Sequence, residues 1–456
     1  MSGAPPAAAA PLGQMPPLQP GGLFGIPSLL RFTRDPLAFV TSMAQAPGDV
    51  VHYRLAFRDV YLLKHPDLVR DVLVVRQHDF AKGEGLRWAR RFLGDGLLTS
   101  EGELHTRQRR LAQPAFHRQR IGSYGAVMVA RAEAARARWK DGEELRLDQE
   151  MVRLMLAIAG KTLFDADTEG QAAEVGGALT DIVRLFPRFA LPWGALWTAL
   201  PLPANRRYER GRRRLDAIVY GLIEERRRDG RDRGDLLSML MLARDEDGGA
   251  GMSDRQLRDE VMTLLLAGHE TTANALSWTF YLLARNPEAE AGLHRELDDV
   301  LGGRVPSVDD LPRLRYAENV LAESMRLFPP AWVVGRRSLK DQELGGARLA
   351  AGSLVMSSPY LMHRDARFFP DPLRFEPDRF TPEARAARPK FSYFPFGGGA
   401  RACIGEPFAW MEGVLVLATI AQQWRLRLVP GHPVEPQALI TLRPRYGIRV
   451  TAARRR

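Results

Sequence analysis

The sequence predicts a mainly α fold with small β-sheets, and three observations lead there. Residues from about 103 to 285 read as helix almost without a break. Their last part, from Ser253-Asp254 to Arg285, is one continuous amphipathic run of roughly 32 residues, about 48 Å long at the usual helical rise. The β-prone pieces are short and lie near the two ends of the chain, with no internal repeat.

In chain order, Met1 to Gly22 is alanine- and proline-rich and reads as a disordered or extended leader. Asp49 to Leu55 and Asp59 to Leu63 read as two short strands around the turn Ala56-Phe57-Arg58, and helical patterning resumes at His65-Pro66. Pro187, Pro192, Pro201 and Pro203 break the helical region, because proline lacks the amide the helix needs. Gly248 to Gly251 reads as a loop, and Ser253 as the cap of the long helix, which Asn286-Pro287 stops. A further helix covers about Leu314 to Phe328, ended by Pro329-Pro330. Short β-prone pieces follow, then a loop region from 363 to 396 and a last helix from near Ile404 to Trp424.

Composition excludes several classes. With one cysteine among 456 residues there is no disulfide framework within the chain, and the usage fits a reducing cytoplasm. Hydrophobic residues make up 45% and charged residues 26%, enough apolar side chain for a large core and too little charge for extensive disorder. The net charge of +11 invites a nucleic-acid reading, yet the arginines are spread out and no recognition module stands out. They suit a solvated surface or a basic patch for an acidic protein partner. No segment reaches the roughly 18 apolar residues of a membrane span, and the first residues lack the build of a signal peptide.

Two segments carry chemistry. In Phe394-Pro-Phe396-Gly-Gly-Gly399-Ala-Arg401-Ala-Cys403-Ile-Gly405, a cysteine stands between a glycine-rich turn and a helix start. A lone cysteine can be a buried hydrophobe, a reactive thiol or a metal ligand. Glycines here permit tight turns and close approach to a flat object, a helix N-terminus favours thiolate over thiol, and an arginine two residues away suits a carboxylate. In Ala267-Gly268-His269-Glu270-Thr271-Thr272, glycine and two threonines interrupt a helix interior, at up to about 1 kcal/mol each relative to alanine. Gly268 either permits close helix packing or leaves room for a ligand, and Thr271 can bond back to a carbonyl and open the helix. His269 reads as incidental. Two weaker pairs accompany them. Glu323 and Arg326, three apart on a helix, would ordinarily be a surface ion pair. His105 and Arg109, four apart, share a face and could grip an anion or simply be solvated.

The cysteine segment resembles the haem-binding signature of the cytochrome P-450 family, F-x-x-G-x-R-x-C-x-G. Phe396, Gly399, Arg401, Cys403 and Gly405 match each specified position. The helix segment is similar to that family's oxygen-groove pattern, and the resemblance covers nearly the whole chain after about residue 22. It implies the cytochrome P-450 fold as a single large domain over residues 23–456. It also implies haem b with Cys403 as axial thiolate, Arg401 on a propionate and Phe396 shielding the sulfur. His105, Arg109 and Arg336 become further propionate contacts. Gly268, Glu270 and Thr271 become the oxygen site, with Glu270 relaying protons. Glu323 and Arg326, completed by Arg379 of Phe375-Glu-Pro377-Asp-Arg379-Phe380, become a buried structural triad.

The activity so implied is that of a haem-thiolate monooxygenase. It places one atom of O2 into a C–H or C=C bond of an apolar molecule of terpenoid, fatty-acid or polyketide type, and releases the other as water. The chain has no flavin or nicotinamide fingerprint, so electrons come from separate proteins, a ferredoxin or flavodoxin with its reductase. Phe92, Leu97, Leu264, Ala267, Val333 and Val334 are candidate substrate walls. Leu185 to Leu202, with Phe186, Phe189, Trp193 and Trp197, is either an entrance lid or ordinary core. Arg107 and Arg110 should face away from the cofactor, toward a docking partner. The expected state is a cytoplasmic monomer. Glu270 and Thr271 argue against the rival haem-thiolate activities, peroxygenase or isomerase; a haem-based sensor is the alternative from another class.

Overall fold

A computed structural model describes residues 25–165, 200, 202–244 and 251–455. The leader lies outside them, as do Phe186, Phe189, Trp193 and Trp197 of the expected lid. The mainly α fold with small sheets is what the chain forms, in two compact units.

The first unit comprises residues up to Trp88 with 331–374 and 386–403. Its centre is a five-stranded sheet. Val50–Leu55 and Arg58–Leu63 form an antiparallel hairpin whose turn holds Ala56 at φ 52°. Arg58–Leu63 then runs parallel to Leu354–Ser357, which pairs antiparallel with Val334–Ser338, and Phe80–Lys82 closes the edge. Strands from distant parts of the chain thus share one sheet, where the sequence suggested a separate small sheet near each end. Tyr61, Leu63, Val72, Leu73, Phe80, Val355 and Phe394 bury their side chains together against it.

The second unit comprises Ala89–Pro330, Phe375–Arg385 and Ile404–Arg456. Its axis is the helix Asp254–Arg285. Ser253 caps it by accepting the Gln256 amide at 3.3 Å. Helices Leu147–Phe164, Pro203–Asp229, Arg315–Leu327 and Glu406–Ala421 pack around it, so it is buried on nearly every side. Trp278 stacks on Phe328 at 4.1 Å between ring centres, and its indole N–H donates to Leu442 O.

Three sequence expectations need correcting. The stretch from 103 to 285 is interrupted by the strand Glu144–Arg146, which pairs with Arg449–Arg454. Pro287 opens a helix to Leu301 that the sequence reading passed over, proline being well suited to a first helical turn. The last helix covers Glu406–Ala421, and Trp424 already begins a strand to Leu428, consistent with the β-preference of an aromatic residue. Among the described residues no helix is long and apolar enough to cross a membrane.

Candidate active site

The residues singled out in the sequence fall into both units, and each group is described within its own. In the first unit, the cysteine segment leaves the core at Phe394, which is 3% exposed. Gly397 and Gly399 take φ of 73° and 70°, conformations that L side chains rarely adopt. At Gly399 a Cβ would also stand 1.9 Å from Leu73 O, so glycine is required twice over. The turn Gly399–Arg401 follows, and the Cys403 amide donates to Phe396 O at 2.9 Å. The cysteine is exposed, and a helix begins three residues later at Glu406. A lone buried hydrophobe is thereby excluded for Cys403.

Arg401 and Arg336 meet the same short strand. Arg401 Nη1 donates to Phe80 O at 2.8 Å, and Arg336 is the register partner of Lys82. Arg336 is buried, with Nη1 on Gly335 O. Two cations are thus brought to one sheet edge. Val333 and Val334, expected at a substrate wall, are half-buried at the start of the Arg336 strand.

In the second unit, every residue from Leu257 to Leu283 on the long helix is buried except Ala267, Gly268, Glu270 and Thr271. Spaced i, i+1, i+3 and i+4, these four share one face. A Cβ at Gly268 would meet only Leu163 Cδ1, at an ordinary 3.6 Å, among the described residues. Among the described residues, close packing is therefore not what glycine provides there. Thr271 Oγ1 donates back to Ala267 O at 2.7 Å, as its place in the helix suggested. Glu270 Oε1 accepts from the Thr441 hydroxyl at 2.7 Å, and Thr441 in turn accepts from Asn274 Nδ2 at 3.1 Å. His269 turns inward, its Nδ1 2.6 Å from Leu265 O, and burial lowers its pKa.

Phe92, Leu97 and Leu264 are buried in this unit, and the segment carrying the first two is tied to the long helix. Arg258 Nη2 donates to Phe92 O at 2.9 Å, Asp259 accepts the Asp95 amide at 2.8 Å, and Glu260 accepts the Leu97 amide at 2.9 Å. Gly94 and Gly96 let the backbone approach Asp259 and Thr263 closer than any Cβ allows. His105 is buried and Arg109 half-buried on the helix Gly102–Ala112, while Arg107 is half-buried and Arg110 exposed.

Glu323 and Arg326 are fully buried, which rules out a surface ion pair. Arg326 holds Glu323 with two bonds of 2.6 and 2.8 Å, the Glu376 amide adds a third at 2.9 Å, and Arg379 Nε stands 3.6 Å away. Burial pushes the Glu323 carboxyl up, and Arg326 and Arg379 pull it back toward the charged form.

Sequence reasoning missed Thr441, Asn274, Asp259 and Glu260. Each acts through a partner far along the chain, where no local spacing could announce it.

A family model described as Cytochrome P450 matches residues 15–450. Cyclooctatin synthase of Streptomyces melanosporofaciens is 44% identical over 425 residues, 93% of this chain and 92% of that one. Cyclooctat-9-en-7-ol 5-monooxygenase of the same organism is 40% identical over 414 residues, 90% of each chain. Pentalenene oxygenase of Streptomyces avermitilis is 39% identical over 427 residues, 93% of this chain and 94% of that one.

Proposed function

From the premise that this chain belongs to the cytochrome P450 family, we propose which molecule it oxidises and which side chains serve the reaction. It is a haem-thiolate monooxygenase with haem b as cofactor and a cysteine on the iron, and it uses O2, an apolar substrate and electrons from redox partners. Cys403, the sole cysteine, is the proposed ligand. Its exposed position at the end of a glycine-shaped loop fits a flat cofactor, and thiolate ligation supplies the electron density that favours O–O cleavage.

Around it, Phe396 shields the sulfur, Gly399 and Gly405 shape the loop, and Arg401, Arg336, His105 and Arg109 hold the propionates. On the accessible face of the long helix, Gly268 leaves room, Thr271 presents its hydroxyl to the oxygen side, and Glu270 relays protons. Thr441 orients Glu270 for that task. Phe92, Leu97, Leu264, Ala267, Val333 and Val334 form the walls. Residues 23–456 act as one haem domain, cytoplasmic and monomeric, with a ferredoxin or flavodoxin and its reductase as electron source.

The substrate is a terpenoid. The carrying observation is that between Leu257 and Leu283 of the long helix accessibility is confined to Ala267, Gly268, Glu270 and Thr271, in a chain whose relatives include a pentalenene oxygenase and a cyclooctat-9-en-7-ol 5-monooxygenase. Ferric protein titrated with pentalenene, cyclooctat-9-en-7-ol and dodecanoic acid should shift to high spin with a terpenoid. A shift with the fatty acid alone would overturn the substrate class. Cys403→Ser should abolish the red-shifted Soret band of the reduced carbon monoxide complex, and an unchanged band would remove Cys403 as ligand.

A further inference from the structure

The loop from Phe394 to Cys403 has only one short turn of regular structure, so its shape depends on a few hydrogen bonds. Inside it, Gly397 N–H donates to Phe394 O, Ala402 N–H to Gly399 O and Cys403 N–H to Phe396 O. Two side chains from elsewhere in the first unit grip its ends. His363, fully buried, accepts the Phe394 amide on Nε2 at 2.9 Å. Gln77 Oε1 accepts the Ala400 amide at 2.7 Å, three residues before the cysteine.

We propose that His363 and Gln77 are positioning residues for the Cys403 thiolate, acting through the amides of Phe394 and Ala400. The inference rests on Cys403 being the axial ligand. His363 can accept at Nε2 only as the neutral ring with its proton on Nδ1. That ring is held by Tyr393 and Phe394, at 4.8 and 5.5 Å between centres. In that form it presents one acceptor, Nε2, to the Phe394 amide.

Gln77 follows the π-helical turn Asp71–Val75, whose Leu73 carbonyl is wedged against Gly399. Arg76 fixes that turn through Asp71 and through Glu343 O at 2.6 Å. The end of the loop nearest the sulfur is thus braced by a rigid neighbour, and the other end by a buried one. A ligand held on a loop keeps its geometry only as well as the groups that orient it, to within about 0.5 Å for a productive site.

The test uses holoprotein and four variants, reading the red-shifted Soret band of the reduced carbon monoxide complex and its decay under mild urea. His363→Phe keeps an aromatic ring and removes the acceptor, whereas His363→Gln places an oxygen near the former Nε2. His363→Phe should lose the band roughly fivefold faster than the parent or more, the equivalent of about 1 kcal/mol for a buried amide left without its partner. His363→Gln should restore most of the lifetime. Gln77→Leu should shorten it and Gln77→Glu, which keeps an acceptor, should not. Should His363→Phe fail to fold, the Gln77 pair carries the same comparison.

Wild-type decay in both His363→Phe and Gln77→Leu would overturn the proposal. So would His363→Gln as labile as His363→Phe, since ring shape and not the acceptor would then be what counts. A parent protein without the red-shifted band would instead refute Cys403 as the ligand.

Discussion

The hydroxyl of Thr441 donates to Glu270 across 171 positions of sequence, and Asn274 donates to the same hydroxyl oxygen. The second bond fixes the direction of the first. With its lone pair engaged by Asn274, Thr441 has its hydrogen aimed at the carboxylate.

Thr441→Val keeps the shape and removes that donor. Glu270 should then sample other rotamers, and proton delivery should suffer before binding does. Haem content and terpenoid affinity should stay within about twofold, while product formed per reductant consumed should fall several-fold, as for a lost charge-assisted bond of roughly 1.5–3 kcal/mol partly replaced by water. Thr271→Ala should divert electrons to peroxide or water in the same assay. Unchanged coupling in Thr441→Val would leave Glu270 without need of its anchor.

Gly268 separates stability from function. Because a Cβ there would meet only Leu163 at contact distance among the described residues, Gly268→Ala should not strain the fold. Alanine in a helix interior is favoured over glycine by about 1 kcal/mol, so the variant should melt at the same temperature or slightly higher. The added methyl lies among Ala267, Glu270 and Thr271, and should weaken terpenoid-induced spin shift and turnover. Lower stability with normal turnover would return glycine to a packing role.

Much of this was legible in the sequence, and the boundary has a physical cause. The Cys403 loop shows itself because glycine at Gly399, an arginine and a cysteine must be close in sequence to make one turn. The long helix shows itself because its caps and period are local. What stayed hidden depends on contacts between distant segments. Nothing near Thr441 marks it as a partner of Glu270, and Glu260 reads as an ordinary helix acid until Leu97 is seen bonded to it. The Glu323–Arg326 pair has the spacing of a surface pair; only burial distinguishes the two.

Arg110 is exposed near the end of the helix that also carries His105 and Arg109, so it can meet a partner without disturbing either. Arg107, half-buried, is less suited to that role than the sequence suggested. An acidic redox protein would be steered by Arg110, and salt would weaken the effect beyond a Debye length of about 8 Å. Arg110→Glu should raise the apparent KM for a ferredoxin and reduce its salt dependence, while peroxide-driven turnover persists. Unaltered ferredoxin kinetics would place docking elsewhere.

Glu412 lies in the helix Glu406–Ala421 and is fully buried, with no well-aligned hydrogen bond to either carboxyl oxygen among the described residues. Burial raises its pKa from the ordinary 4.5 to about 8, and the nearby Thr272 hydroxyl offsets this only in part. The sign follows from where the proton sits. Between about pH 4.5 and 8 the folded protein keeps a proton that the unfolded chain has released, so each rise in pH favours unfolding. The slope is about 1.4 kcal/mol per pH unit, fully expressed inside that window and absent below it. Stability from this group is therefore present at pH 4 and lost progressively toward pH 8. Glu412→Gln keeps the neutral shape and has no proton to lose. Its stability should equal the parent's within about 1 kcal/mol near pH 5 and exceed it by a few kcal/mol near pH 9, because the burial penalty on the charged form is gone. Denaturant midpoints of both proteins at pH 5, 7 and 9 measure the difference. Curves that remain parallel across the three values would mean that Glu412 is charged in the folded protein, held by a partner that its surroundings do not otherwise reveal.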